Sequence, residues 1–272
     1  MDHHHVRRYL DRLGVTDLPG GLPDRAPSDD ADAAAALAVL QRRHLLSVPF
    51  ENLDIHLGRP IALTEDGVFG KVVDRRRGGF CFELNGIFAM LLRGLGYRVD
   101  LLAARVVRDD GTLGIPYDHL ALRVQADGPR LADVGFGRFA LAPLDLADRG
   151  EQHDAQGVFR IQDAPDGDLD VYADGKPAYR LETRPRAWSD FAAGSWWHQT
   201  SPESHFTQAP VCTLLTDEGR GRITLSGRTL IVTDAEGRRE EKFPDDEALL
   251  KAYRDHFGFD LEKAPSPLRG DA

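Results

Sequence analysis

The stretch RRRGGFCFELNGIFAMLLRGLGY, residues 75–97, decides how the chain is read. Leu84, Ile87, Phe88, Leu91 and Leu92 recur at helical spacing and form one apolar stripe. Gly94 and Gly96 then supply a helix stop. The spacing predicts a helix that begins at Cys81, just after Gly78 and Gly79. Cys81 is one of only two cysteines in the chain. A helix N-terminus carries roughly half a positive charge and free N–H groups, so it favours a thiolate. The two glycines are expected to allow a tight turn and the close approach of a substrate. The free N–H groups would hold the oxyanion of a tetrahedral intermediate. The plain alternative is a buried structural cysteine, the commonest state of a free thiol.

Upstream of this helix the chain reads mostly helical. VRRYLDRLG is a short amphipathic piece, and a Pro/Gly/Asp-rich loop covers about residues 20–33. DADAAAALAVLQRRHLLS has acids at its start and bases toward its end, which suits a helix dipole. Pro49 breaks it, and VPFENLDIHLGRP is expected to run extended or turning. Downstream, from about residue 97, the period becomes two. YRVDLLAARVV, HLALRVQ, RLADVGFG, VFRIQ, LDVYA and AYRLETR are short strands separated by turn residues, a density that suggests a small barrel or sandwich. WSDFAAGSWWHQTSPESHF reads as irregular. VCTLLT, GRITLSGRTLIVTD and REEKF follow as strands, DDEALLKAYRDHFG as a closing helix, and KAPSPLRGDA as a frayed tail. The fold class is therefore α+β in about three parts.

A nucleophilic cysteine needs a base, and the base needs an orienting partner. His119 opens one strand and Asp133 lies near the end of the next, with an ADG turn signal at 126–128 between them. A hairpin centred on about residue 126 would set the two opposite each other; the alternative is two solvated side chains. A metal held by Cys81, His119 and Asp133 is disfavoured, because none of them belongs to a close ligand pair. His3, His4 and His5 promise only adventitious metal binding at a mobile terminus, and Cys212 reads as a core residue of a strand.

The chain has 272 residues, 42% of them hydrophobic, enough for a sizeable core. A formal net charge of −10 speaks against nucleic acid or an anionic membrane surface as partner. There is no long apolar run that would span a membrane, and MDHHHVRRYLDRLGV has no apolar signal core. With two distant cysteines, a reducing cytoplasm is the expected location.

VPFENLDI, RGGFCFELNGIF, HLALRV, LADVGFG and SPESHF, in this order and spacing, resemble the arylamine N-acetyltransferases over essentially the whole chain. The resemblance implies a helical bundle (1–96), a central antiparallel β-barrel (97–200) and a C-terminal α/β lid (201–272), with a cysteine-proteinase-like core. It implies a catalytic triad of Cys81, His119 and Asp133. It also implies ping-pong transfer of acetyl from acetyl-coenzyme A, a co-substrate rather than a bound cofactor, to arylamines, arylhydrazines or N-hydroxyarylamines. Phe50, Val106 and Phe136 match substrate-pocket positions, with plain core packing as the alternative. Gly135, Gly137 and Phe206 match positions bordering coenzyme A. Glu51 and Arg77 would form a structural ion pair rather than two solvated charges. Two departures stand out. Asp118 occupies a place where some relatives carry a small hydroxyl residue, and no basic cluster declares itself for the coenzyme phosphates. Carrier-protein-dependent amide synthases that release macrolactams share the same triad and form the runner-up function; a Cys-His-Asp hydrolase or transglutaminase is a third.

Overall fold

The computed structural model describes residues 1–20 and 29–268. Positions 21–28 of the Pro/Gly/Asp-rich loop and the last four residues of the expected frayed tail lie outside that set.

The N-terminal part is built from α1 (His3–Leu13), α2 (Asp30–Ser47), a two-residue strand β1 (Phe50–Glu51), the short helices α3 (Leu53–His56) and α4 (Glu65–Phe69), a π-helical turn at Gly70–Asp74, and α5 (Cys81–Gly94). Local chemistry explains the boundaries. Asp2 and Asp29 accept N–H groups at the starts of α1 and α2, and Gly14 closes α1 in the left-handed region. His3–His5 are therefore part of α1 rather than a loose terminus, and the His5 ring meets Phe69 edge-on. The sequence shows α5 as a one-sided stripe, yet every residue from Cys81 to Leu92 is buried. The reason is its position: α1 and α2 cover one side and strands β2 (Val99–Val106) and β3 (His119–Gln125) the other.

From β2 the chain forms one antiparallel sheet of eight strands. The others are β4 (Pro129–Ala132), β5 (Leu144–Asp145), β6 (Glu151–Asp154), β7 (Gly157–Asp163), β8 (Leu169–Ala173) and β9 (Lys176–Arg186), in the order β5-β4-β3-β2-β9-β8-β7-β6. Alternation sorts the side chains. Leu101, Ala103, Leu120 and Leu122 pack on the helices, while Leu102, Ala104 and Ala121 turn inward to Phe159, Ile161, Val171 and Tyr179. The sheet curls until its edge strands meet through a side chain. The Gln152 amide accepts the Asp145 N–H at 2.7 Å and donates to the Asp145 carbonyl at 2.9 Å, standing in for a strand pair.

Past β9, a 3-10 turn at Trp188–Phe191 leads into α6 (Ala192–Thr200), where the sequence reads as irregular. The chain ends with β10 (Val211–Thr216), β11 (Gly221–Ser226), β12 (Thr229–Asp234), β13 (Gly237–Lys242) and α7 (Asp246–Phe257). These four strands make a second sheet whose fifth member is β1, paired to β10 through Phe50↔Thr213 and Glu51↔Cys212. β1, which also bridges through Phe50 to Gly79 just before α5, is thus woven into the C-terminal sheet. The tail is tied down as far as Ser266, whose carbonyl lies 3.1 Å from His56 Nδ1.

Candidate active site

Cys81 is the first residue of α5, with Phe80 as its N-cap. The preceding glycines are there for the backbone. A Cβ on Gly78 would stand 1.8 Å from the Pro49 carbonyl oxygen, and one on Gly79 would stand 2.7 Å from the Glu83 carboxylate. Gly79 also bridges to Phe50, and its carbonyl accepts the Glu51 N–H. The expected clearance for an acyl group at these two positions is corrected: they let the loop press against β1 and the first turn of α5. A close approach to the nucleophile does occur, at Gly135, where a Cβ would lie 2.7 Å from Cys81 Cα and 2.7 Å from Asn85 Nδ2.

The β3–β4 hairpin turns on Asp127 and Gly128, both with positive φ, and pairs Leu122 with Ala132 and Gln125 with Pro129. Its centre is Asp127, one residue later than the sequence suggests. Asp133 therefore lies just past β4 and reaches His119 diagonally, with Nε2 and Oδ2 2.7 Å apart. The other ring nitrogen, Nδ1, is left to the thiol, with which the His119 side chain hydrogen-bonds. Asp133 is fully buried and held on every side. Its Oδ1 accepts from Asn85 Nδ2 at 2.8 Å and from the Gly135 N–H at 2.9 Å, and its Oδ2 accepts from the Tyr179 hydroxyl at 3.3 Å. Asn85 lies one helical turn after Cys81, and it also donates to the Leu120 carbonyl and accepts the Val134 N–H. One amide thus ties the helix of Cys81 to the strands that carry His119 and Asp133. The spacing Cys-x-x-x-Asn was the signal for it. Tyr179, on β9, carried no local signal.

Burial dominates the electrostatics, and it is opposed by the partners. Desolvation pushes the Cys81 thiol up, while the hydrogen bond and charge of His119 pull it down and the Asp118 carboxylate pushes it further up. Desolvation works against a charged His119, but the Asp133 carboxylate, with a smaller contribution from Cys81, outweighs it and the imidazole stands at about 10. A base that strong beside the thiol can take its proton, leaving a thiolate–imidazolium pair.

The thiol opens into a cleft of about 600 Å³. Phe50, Val106, Gly135, Phe136 and Phe206 all line it. Phe206 contacts Phe50 and Phe80, and Phe136 meets the His119 ring edge-on at 5.2 Å. Gly137 is not part of this wall: its carbonyl faces away and accepts from Arg222 Nη1 at 2.9 Å. The cleft also holds a second hydrogen-bonded chain that sequence reasoning did not assemble. Asp118 Oδ1 lies 2.9 Å from His198 Nε2, and His198 Nδ1 lies 3.0 Å from Ser204 Oγ. Asp118 Oδ2 accepts the Val106 N–H. Asp118 therefore points to His198 and β2, not to His119.

Glu51 and Arg77 do meet, with Nη2–Oε1 at 2.7 Å, but within a larger buried cluster. Arg77 also reaches Asp54 at 3.1 Å, and Lys71 reaches Asp54 at 2.8 Å and Glu83 at 2.9 Å. Glu83 in turn accepts the Phe80 N–H at the start of α5. Lys71 enters this cluster from the π-helical turn, a position with no sequence signal.

A family profile described as N-acetyltransferase matches residues 34–265. The arylamine N-acetyltransferase of Mycolicibacterium smegmatis is 35% identical over 263 residues, covering 93% of this chain and 91% of that protein. A solved M. smegmatis arylamine N-acetyl transferase superposes with a TM-score of 0.82 at 34% identity, over 96% of this chain and 93% of that one. The arylamine N-acetyltransferase / N-hydroxyarylamine O-acetyltransferase of Salmonella typhimurium is 35% identical over 195 residues, 70% of this chain and 69% of that protein. The Mycobacterium marinum arylamine N-acetyltransferase solved in complex with CoA matches with a TM-score of 0.78 at 33% identity, over 93% of this chain and 92% of that one.

Proposed function

The chain belongs to the arylamine N-acetyltransferase family, and from that membership and the site geometry we propose that it transfers acetyl groups from acetyl-coenzyme A to aromatic amines through an acetyl-Cys81 intermediate. The observation that carries the proposal is the connected set Cys81–His119–Asp133 at the floor of an aromatic-walled cleft. Asp133 fixes the His119 ring with Nδ1 toward the thiol and stabilises the imidazolium.

In the first half-reaction His119 takes the thiol proton and the Cys81 thiolate attacks the thioester carbonyl. The carbon–sulfur bond to coenzyme A breaks, and the leaving thiolate recovers the proton from His119. N–H groups in the first turn of α5 support the oxyanion. In the second half, a neutral arylamine, hydrazine or N-hydroxyarylamine attacks the acetyl-Cys81 carbonyl. His119 accepts the proton lost from the nucleophile, and the Cys81 thiolate departs. Phe50, Phe136 and Phe206 offer faces and edges to an aromatic ring. Phe206, together with Gly135, borders the path of the donor's pantetheine arm. A reducing cytoplasm suits an enzyme that depends on a free thiol.

Intact-mass analysis after mixing with acetyl-coenzyme A tests the reading. The expected result is one acetyl adduct that maps to Cys81 and is discharged by an arylamine. An adduct elsewhere, or a Cys81→Ala protein with full activity, would sink it. Loading only from a carrier-protein thioester would shift the assignment to amide synthesis, which the names of the relatives do not favour.

A further inference from the structure

A second cavity, of about 200 Å³, lies between the barrel and the C-terminal sheet, and it is cationic. Arg138, Arg220 and Arg222 line it together with Gln156 and Thr233, and no carboxylate is part of its wall. In a chain with 44 acidic and 34 basic residues, three arginines converging on one cavity whose wall holds no carboxylate are a local concentration of positive charge. Some arginines elsewhere do pair with acids, as Arg42 with Glu218, Arg77 with Glu51 and Asp54, and Arg180 with Asp170.

We propose that this cavity is a phosphoryl-anion site, built to hold a phosphate or diphosphate group between Arg138, Arg220 and Arg222. Arg222 is fixed for the task. Its Nη1 donates to the Gly137 carbonyl at 2.9 Å and to Thr213 Oγ1 at 3.2 Å, while its Nη2 is buried with no partner. A buried donor without an acceptor is costly, and a planar guanidinium edge matches a phosphate oxygen. Arg138 forms no ion pair among the described residues and sets its charge beside Arg222. Burial, and then that like charge, lower the Arg222 pKa to about 10, so both guanidinium groups gain from an anion between them. Arg220 donates only to the Asp217 carbonyl, at 3.3 Å, and Gln156 is anchored to the Gly219 carbonyl.

The site communicates with the cleft. Arg138 follows Gly137, and the Gly137 carbonyl held by Arg222 belongs to the loop that carries Gly135 and Phe136 to the thiol. Two sources of the anion share this chemistry. One is the phosphorylated nucleotide end of the acetyl donor, which rests on the transfer reading above. The other is free phosphate, which does not.

The test uses the full chain. Thermal shift and equilibrium dialysis with inorganic phosphate, pyrophosphate and adenosine 3′,5′-bisphosphate, against chloride at equal ionic strength, read binding directly. Binding should weaken at least about tenfold in Arg138→Gln/Arg220→Gln, two substitutions of exposed side chains, and in Arg222→Met where that variant folds. Steady-state KM for acetyl-coenzyme A and for the phosphate-free donor S-acetyl-N-acetylcysteamine separates the sources. A rise of about tenfold in the ratio of the two KM values identifies the donor's phosphates. Lost anion binding with an unchanged ratio identifies free phosphate. If wild type binds none of the three anions more tightly than the double variant, the site does not exist. A chain that accepts acetyl from neither donor yet binds phosphate through these arginines would count against the transfer reading alone.

Discussion

Replacing Asp133 with Asn removes a charge and keeps the shape of the side chain, so it isolates what the charge does for His119. Burial would hold the imidazole below its ordinary value, yet beside the carboxylate it stands at about 10. Set against an ordinary value near 6.5, this favours the imidazolium by ~5 kcal/mol net of burial, with Asp133 the larger support and Cys81 the smaller. The variant loses that support and meets a second obstacle. An Asn amide nitrogen donating to Nε2 would force the neutral ring to carry its proton on Nδ1, the nitrogen that faces Cys81. That tautomer cannot accept the thiol proton. Acetylation of Cys81 near neutral pH should therefore slow by on the order of a thousandfold or more. The amide oxygen can still accept the Gly135 N–H, so the fold should persist. The measurement is a rapid-quench intact-mass time course with acetyl-coenzyme A, paired with a thermal melt. Slowing of less than about tenfold in a folded variant would refute the reasoning, because the main support of the imidazolium would then not reside in the Asp133 charge.

Three further outcomes follow from other buried groups. Lys71→Met takes from Glu83 its cation and leaves Glu51 and Asp54 with Arg77 alone, among the described residues. Breaking such a buried pairing costs about 3–5 kcal/mol, and the melting temperature should fall by roughly 6–20 °C; a drop under about 2 °C contradicts the brace. His44 is buried between Tyr9 and Phe88 with neither ring nitrogen partnered, and burial lowers its pKa to about 3. The folded state thus binds fewer protons at this site than the unfolded one, so the stability it permits above pH ~6.5 drains away as pH falls toward 3. At pH 5 the loss is ~2 kcal/mol, and His44→Leu should abolish that part of the urea-midpoint shift between pH 7 and 5. An identical shift in the variant contradicts the assignment. Asp118 raises the Cys81 thiol through its charge, so in Asp118→Asn the pH midpoint for alkylation of Cys81 by iodoacetamide should move down. A midpoint that stays or rises argues against that coupling.

Periodicity made much of this architecture legible. Residues 30–47, 119–125, 169–173 and 211–216 form the elements their patterns announce, with the same limits. The site was legible because its chemistry sits at element starts and ends: a helix-first cysteine, a strand-first histidine, an aspartate just past a strand. What escaped had physical reasons. α6 is written in small and aromatic residues, and it buries Gly194, Ser195 and His198 rather than a leucine stripe. β6 is EQHD, polar throughout, because it forms the rim of the barrel and takes its order from Gln152. In the sequence Gly78 and Gly79 read as room for a substrate because a glycine does not announce which atom it avoids; Pro49 and Glu83 become visible only when the chain is folded. The basic cluster missing from the linear sequence exists in space, where Arg138 from the loop between β4 and β5 lines one cavity with Arg220 and Arg222 at the start of β11.

The pairing of β1 with β10 also has a consequence in time. Phe50 and Thr213 are some 160 residues apart, so on a ribosome β1 waits roughly 10–30 s for its partner. For most of that interval Cys81 has already been made, but β1 has no neighbour in the C-terminal sheet and the Phe206 side of the cleft does not yet exist. Nascent chains halted before β10 should therefore offer a thiol that small electrophiles reach freely, whereas in the finished protein Cys81 is 3% exposed. Chemical selectivity at Cys81 is in this sense the last property the chain acquires.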